Sequence, residues 1–294
     1  WWGFIGEHVL TRSVRDCAAL LDATAGDYPQ QLMKLPPPAR PFLEETQGDP
    51  GRMRVAFSYD PGLGKTLHPE NRKALEATTA ALDRLGHEVV EVRLPLPPET
   101  FIEGYAALVS ADVAATLRMA GQLVGREAGS DDVELGTWVL AKMGEAQSAA
   151  DVASAMWTMQ AFSRQWLAWS SAFDVLLTPT VGVPPLPIGA YKLSAMQRQG
   201  LKLLTALPAG ALLSQRPKVV EAFEPVFEAA PYTMVANVTG QPSMSLPLHW
   251  TEDGLPMGML FTSRIGDEAT LFGLASQLEQ AMPWRDRIAP HAVP

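Results

Sequence analysis

Few of the residues in this sequence that could act on a substrate stand at a spacing a reaction needs. Gly62-Leu-Gly-Lys-Thr66 has the composition of a phosphate-cradling loop. That loop requires a glycine at position 59, where this chain has Tyr59, and it must open directly into a helix. The next helix signal waits for Pro69, so an ordinary strand-to-helix connection is expected. The five histidines (His8, His68, His87, His249 and His291) share no ligand interval, and Cys17 is the one cysteine. A metal site needs several such groups at short matched spacings, so structural or surface roles are expected for all six.

Nucleophile chemistry fares no better. No Gly-x-Ser-x-Gly elbow is present, and no serine is followed three residues later by lysine. Ser170-Ser171 is an adjacent pair inside an Ala- and Trp-bearing segment without flanking glycine. A serine nucleophile needs a strained, exposed turn with backbone N–H groups around it. Trp138, Trp157, Trp166 and Trp169 precede a strand-like run and read as packing residues. An apolar substrate channel is the functional alternative, which Met-rich helices would suit.

The elements that would position a site can be read from pattern. Residues 11–26 form a first helix, capped by Thr11 or Ser13, with Val14, Cys17/Ala18 and Leu21 as its apolar stripe and Gly26 as its stop. Leu35-Pro-Pro-Pro38 and Pro41 predict an extended linker. Met53–Ser58 reads as a strand. A helix opening at Pro69 comes next, with Leu75, Thr78, Leu82 and Leu85 inward and Gly86 after it, and then the strand Glu88–Arg93. Strand–helix–strand in this order predicts a parallel βαβ unit. Long helices are expected over about 101–172, a buried strand at Phe173–Thr178 and a Pro/Gly loop at 182–190. Helical spacing resumes over 199–238, broken at Pro208, Pro217 and Pro231. Met244–Trp250 and Met257–Ser263 read as strands joined by Thr251-Glu-Asp-Gly254, a hairpin turn. A last helix starts at Asp267 or Glu268 and runs through Gln280. The fold class is α/β, with a mixed β-sheet flanked by helices and strands apolar on both faces.

Bulk properties narrow the classes. In 294 residues, 23 Lys and Arg against 32 Asp and Glu give a formal charge of −9, with no basic cluster. That balance argues against nucleic acid and anionic membranes as partners. No apolar run reaches the roughly 18 residues of a membrane span. A lone cysteine suits a reducing, cytoplasmic compartment. The start at Trp1-Trp2-Gly3 lacks a Met and a basic leader, which predicts no signal peptide and a missing upstream segment.

Three blocks, in order, resemble the amidase-signature family. The first is Val9-Leu-Thr-Arg-Ser-Val-Arg-Asp16 running into Leu20–Gly26. The second is Phe173-Asp-Val-Leu-Leu-Thr-Pro-Thr180. The third is Tyr232-Thr-Met-Val-Ala-Asn237-Val-Thr-Gly-Gln-Pro242-Ser-Met-Ser-Leu-Pro247, continuing through Asp253–Gly258, Gly266–Leu271 and Pro283-Trp284. Asn237–Pro242 and Gln277-Leu-Glu279 are most similar to the branch that hydrolyses nylon oligomers. The tRNA-transamidating members carry an aspartate where this chain has Ala230, which disfavours that role.

The resemblance implies one domain, of which residues 1–294 are the C-terminal part, with a helical substrate-channel region at about 101–172. It implies hydrolysis of a small-molecule carboxylic amide, linear or cyclic, by a Ser–Ser–Lys mechanism without a cofactor. It is also compatible with a homodimer. The family's Gly- and Ser-rich catalytic stretch has no counterpart here, for the chain contains no Gly-Gly dipeptide. No catalytic residue is therefore assigned, and the chain is expected to be inactive alone. What carries over is a substrate-pocket wall at Tyr232, Thr233 and Asn237, although Asn237 could equally cap its helix. A non-catalytic binding or scaffolding protein on a degenerate amidase fold is the alternative from another class. A nucleotide-binding protein rests only on Gly62–Thr66.

Overall fold

The computed structural model of the chain describes residues 2–26, 35–190, 192–206 and 216–288. It divides into two compact units, one centred on Leu96–Gln165 with Leu186–Glu228, the other on Phe4–Pro95, Trp166–Pro185 and Ala229–Pro294.

The second unit contains the sheet. Its helices and strands in chain order are α1 (Val14–Thr24), α2 (Phe42–Glu45), β1 (Arg54–Phe57), α3 (Pro69–Arg84), β2 (Glu88–Glu91) and β3 (Val175–Pro179), then α9 (Thr233–Thr239), β4 (Ser243–Trp250), β5 (Pro256–Thr262) and α10 (Glu268–Ala281). The strand order is β2-β1-β3-β5-β4. β1 is parallel to both β2 and β3, while β5 runs antiparallel to β3 and β4. The βαβ unit and the Thr251–Gly254 hairpin are as the sequence implies. Gly254 turns at φ 78°, and Thr251 N–H donates to the Leu255 carbonyl at 2.9 Å.

Register sets what each face of the sheet carries. Val55 pairs with Val175, Leu177 with Phe261 and Leu246 with Met259, which puts these large side chains on one face. They form the main core with Val14 and Ala18 of α1, Phe42 of α2, Ala74, Leu75 and Leu82 of α3, and Leu271, Phe272, Leu274, Ala275 and Leu278 of α10. The opposite face is smaller and richer in hydroxyls. Ala56 pairs with Leu176, Leu176 and Ser243 with Thr262, and Thr178 and Ser245 with Leu260.

Only the central strands are apolar on both faces. β3 is buried at every position, whereas β2 reads exposed at both ends and β4 alternates. β2 and β4 lie at the ends of the strand order. Val89 and Val90 of β2, on opposite faces, are both half-buried, and β4 is least buried at Ser243 and Ser245.

Local chemistry explains the helix limits. Ser13, not Thr11, caps α1 by accepting from Asp16 N–H at 3.1 Å, and the Thr11 hydroxyl donates to the Ser13 carbonyl. Pro69 occupies the first turn of α3, where its missing N–H costs nothing. Asp267 caps α10 through Thr270 N–H. The single-turn α2 was not legible, because its cap lies twenty residues upstream: Asp22 accepts from Phe42 N–H at 2.7 Å and Leu43 N–H at 2.9 Å.

The first unit is helical: α4 (Pro98–Val124), α5 (Leu135–Glu145), α6 (Ala149–Ser170, its last turn in the second unit), α7 (Ala195–Ala206) and α8 (Arg216–Ala229, its last residue in the second unit). Small residues permit close helix contacts. A Cβ at Gly144 would run into the Ser110 carbonyl, and one at Gly104 would meet the Met159 methyl at 2.7 Å. Phe101 and Phe162 stack edge to face with centroids 5.0 Å apart. Pro231 separates α8 from α9 as expected, but Pro217 breaks nothing. It is the second residue of α8, where a proline is tolerated, while Pro225 lies inside the same helix. Pro208 lies outside the described residues.

Candidate functional site

The segment leading into α9 is held where two parallel strands end. After β1 the chain turns through Ser58, Asp60 and Gly62, and after β3 through Thr180 to Gly182. Leu63 N–H donates to the Pro231 carbonyl at 3.0 Å, and Gly182 N–H to the Ala229 carbonyl at 2.9 Å. The Tyr232 hydroxyl donates to the Asp60 carbonyl at 2.7 Å. Asp60 is itself fixed, its carboxylate accepting from Leu94 N–H at 2.8 Å and its N–H donating to Ser58 Oγ at 3.1 Å.

From β1 the chain crosses to β2 on one side, and β3 lies on the other. The carboxyl ends of β1 and β3 thus flank a point where connections diverge, the place at which open α/β sheets bind ligands.

Gly62 makes the close approach possible. It turns at φ 63°, and a Cβ there would lie 2.6 Å from the Pro231 carbonyl oxygen and 2.7 Å from the Tyr232 ring. The glycine-rich loop that resembles a phosphate cradle is in fact the seat of α9. Asn71 of α3 steadies the other side. It is 1 % exposed, and its Nδ2 donates to the Val181 carbonyl at 2.8 Å and the Gly182 carbonyl at 3.0 Å. Its Oδ1 is buried without a partner among the described residues.

The three residues that the resemblance assigns to a pocket wall take different positions. Tyr232 is buried, and its desolvation holds the phenol well above the usual tyrosine pKa. Its ring and hydroxyl anchor the start of α9. Thr233 and Asn237 are half-buried, one helical turn apart on the same side of α9. The capping role open to Asn237 is filled by others. Gly240, at φ 74°, closes the helix through its N–H to the Ala236 carbonyl at 2.8 Å, and the Thr239 hydroxyl lies 3.0 Å from the Val235 carbonyl.

The sequence pattern gives no sign of the parts played by Asp60 and Asn71, and it offers Gly62 only as part of a phosphate-like loop. The signal Gly62 did carry is that a glycine outside a regular element often marks a close backbone approach.

The histidines have structural partners. His87 accepts from Met53 N–H at 3.2 Å through Nδ1 and meets Gln277 Oε1 at 2.7 Å through Nε2. His68 caps α3, and His249 lies 3.0 Å from the Glu70 carboxylate. His291 lies outside the described residues. Ser170 and Ser171 hydroxyls donate back to the Leu167 and Ala168 carbonyls in the last turn of α6. Trp166 is 3 % exposed and hydrogen-bonded, whereas Trp157 is 69 % exposed. Among the described residues no group of three or more His, Cys, Asp or Glu could hold a metal. No described helix is long and apolar enough to cross a membrane.

Comparison with known proteins bears on the family and the fold. The chain is 30 % identical over 288 residues to the 6-aminohexanoate-cyclic-dimer hydrolases of Pseudomonas sp. (strain NK87) and Paenarthrobacter ureafaciens, covering 96 % of this chain and 55 % of each relative. A solved structure of 6-aminohexanoate cyclic dimer hydrolase superposes with a TM-score of 0.76 at 29 % identity, over 93 % of this chain and 54 % of that one. A bacterial aryl acylamidase shares the fold at 18 % identity and a TM-score of 0.68. The chain thus spans about half the length of the relatives it matches. The profile of the Amidase family matches residues 6–272, and the chain belongs to that family.

Proposed function

We propose that this chain is the pocket-bearing part of a hydrolase of carboxylic amides, linear or cyclic, and that its nucleophile and base lie outside residues 1–294. The observation that carries this reading is the half-buried pair Thr233 and Asn237. They lie on a helix whose entry is fastened to the carboxyl ends of two parallel strands. Polar groups half-exposed at such a position suit an amide that must be oriented but not covalently held. Similarity to proteins named 6-aminohexanoate-cyclic-dimer hydrolases supports an amide of that kind as substrate.

In this reading a serine nucleophile attacks the amide carbonyl, a lysine and a second serine pass its proton to the leaving amine, and water releases the acid. Thr233 and Asn237 contact the acyl part. Tyr232 holds them in place, and the helices at about 101–172 form the substrate channel. Residues 1–294 would be the C-terminal part of one amidase domain acting on a small molecule.

The test compares two proteins on 6-aminohexanoate cyclic dimer and on simple anilides. Residues 1–294 alone are expected to show no turnover and no labelling by a fluorophosphonate. A longer protein that continues upstream of Trp1 is expected to show both. Stoichiometric labelling of a serine within residues 1–294, with matching turnover, would overturn the assignment.

A further inference from the structure

Gln241 joins three elements at the far end of α9. It comes directly after Gly240, precedes β4 and is 8 % exposed. Its Oε1 accepts from the Trp166 indole N–H at 2.9 Å, in the last turn of α6. Its Nε2 donates to the Ser263 carbonyl at 2.8 Å, just past β5. The Thr239 hydroxyl, in the last turn of α9, lies 3.2 Å from the same Oε1. Ser263 is fixed in turn, donating its N–H to the Pro242 carbonyl at 3.2 Å and its hydroxyl to the Asp267 carbonyl at 2.7 Å.

The partners dictate the side chain. An indole N–H can only donate and a backbone carbonyl can only accept. One buried group must therefore accept at one atom and donate at the other, at the reach of a glutamine. Leucine does neither. Ionised glutamate has no proton for Ser263 and would bury a charge against its carbonyl. Lysine has nothing to offer the indole. A protonated glutamic acid is the near equivalent, with a carbonyl for Trp166 and an O–H for Ser263.

A helix of seven residues cannot hold itself in place by its own hydrogen bonds. The start of α9 is fastened at Asp60 and Gly62. The end that carries Asn237 depends on the residues after Gly240, and there the buried side-chain bonds converge on Gln241. We infer that Gln241 is the positioning residue of the substrate wall: it fixes the Asn237 end of α9 and so sets how the acyl group is held. This rests on the reading that the Thr233–Asn237 side faces substrate. Supporting groups of this kind govern how closely a contact residue keeps its productive geometry.

The experiment uses the longer protein that continues upstream of Trp1, with amide hydrogen exchange and steady-state kinetics measured on the same preparations. Gln241→Leu is expected to speed exchange at residues 236–240 about tenfold or more and to raise KM about tenfold, with kcat within about twofold. Trp166→Phe, which removes the indole bond to Oε1 and leaves the bond to Ser263, should move both in the same direction by less.

Gln241→Glu should behave like the leucine variant at pH 8. As pH falls and the buried acid protonates, its KM relative to wild type at the same pH should return toward one. Wild type and the leucine variant should show no such return, which separates hydrogen-bond positioning from a packing defect. Should Gln241→Leu fail to fold, the Gln241→Glu pH series carries the test. Unchanged exchange over 236–240 in a folded Gln241→Leu overturns the inference whatever the kinetics. Faster exchange with unchanged KM overturns the underlying reading that this side of α9 meets substrate.

Discussion

The Tyr232 hydroxyl reaches across 172 positions of sequence to the Asp60 carbonyl, 2.7 Å away, and fastens the first residue before α9 to the turn after β1. Tyr232→Phe removes that bond without changing the ring. A loss of about 1–2 kcal/mol is expected, the deleted bond plus an unsatisfied carbonyl. The pH dependence has a definite sign. Burial raises the Tyr232 pKa above that of the unfolded chain, so its contribution is fully present below about pH 10 and is lost as pH rises above it. Chemical denaturation from pH 8 to 11 should show wild-type stability falling more steeply than that of Tyr232→Phe. Parallel curves would show that this phenol is not held neutral by the fold.

Gly62 and Gly254 both turn at positive φ, and they differ in what surrounds them. A methyl at Gly254 meets nothing within 4 Å, while one at Gly62 collides with Pro231 and Tyr232. Gly254→Ala should cost only the backbone penalty, about 1 kcal/mol. Gly62→Ala should cost about 3 kcal/mol or more, by adding the collision to the same penalty. Equal melting temperatures for the two variants would remove Gly62 from its place beneath α9.

Asn71 donates to two carbonyls at once, so the sign of its replacement matters more than its size. Asn71→Asp sets a buried carboxylate against the Val181 and Gly182 carbonyls and should cost about 3–5 kcal/mol at neutral pH. Asn71→Leu loses the donors but also the unpartnered Oδ1, and should cost less. Lowering the pH should recover part of the loss in Asn71→Asp, because the protonated acid regains one donor. The check is urea denaturation of both variants at pH 7 and pH 5.

The legible parts of the fold are those whose determinants are local. The run Val175–Pro179 is apolar at nearly every position and is buried throughout, and Pro69 with Leu75, Thr78 and Leu82 marks both the start and the inward side of α3. The parts that escaped reading depend on partners distant in sequence. Phe42–Glu45 is helical because Asp22 caps it, and Pro217 opens a helix where spacing alone suggested a break.

The candidate site divides the same way. The Tyr232–Pro242 motif pointed to α9, yet nothing in it says that Tyr232 is anchored at Asp60 or that Gln241 answers Trp166. Gly62 was weighed against a phosphate-loop pattern. Its reason for being glycine is a ring 170 residues away.

The assignment of α9 as a substrate wall is tested most sharply by Thr233→Leu, in the longer protein, against a series of amides of increasing acyl size. Thr233 lies half-buried on the side of α9 assigned to substrate, so a larger, apolar side chain there should reshape the pocket without disturbing the anchors at Tyr232 and Gln241. An unchanged melting temperature is expected. KM should rise or the order of preference change, equivalent to about 1–3 kcal/mol in kcat/KM and growing with acyl size. Identical kinetics across the whole series, in a variant as stable as wild type, would contradict the assignment.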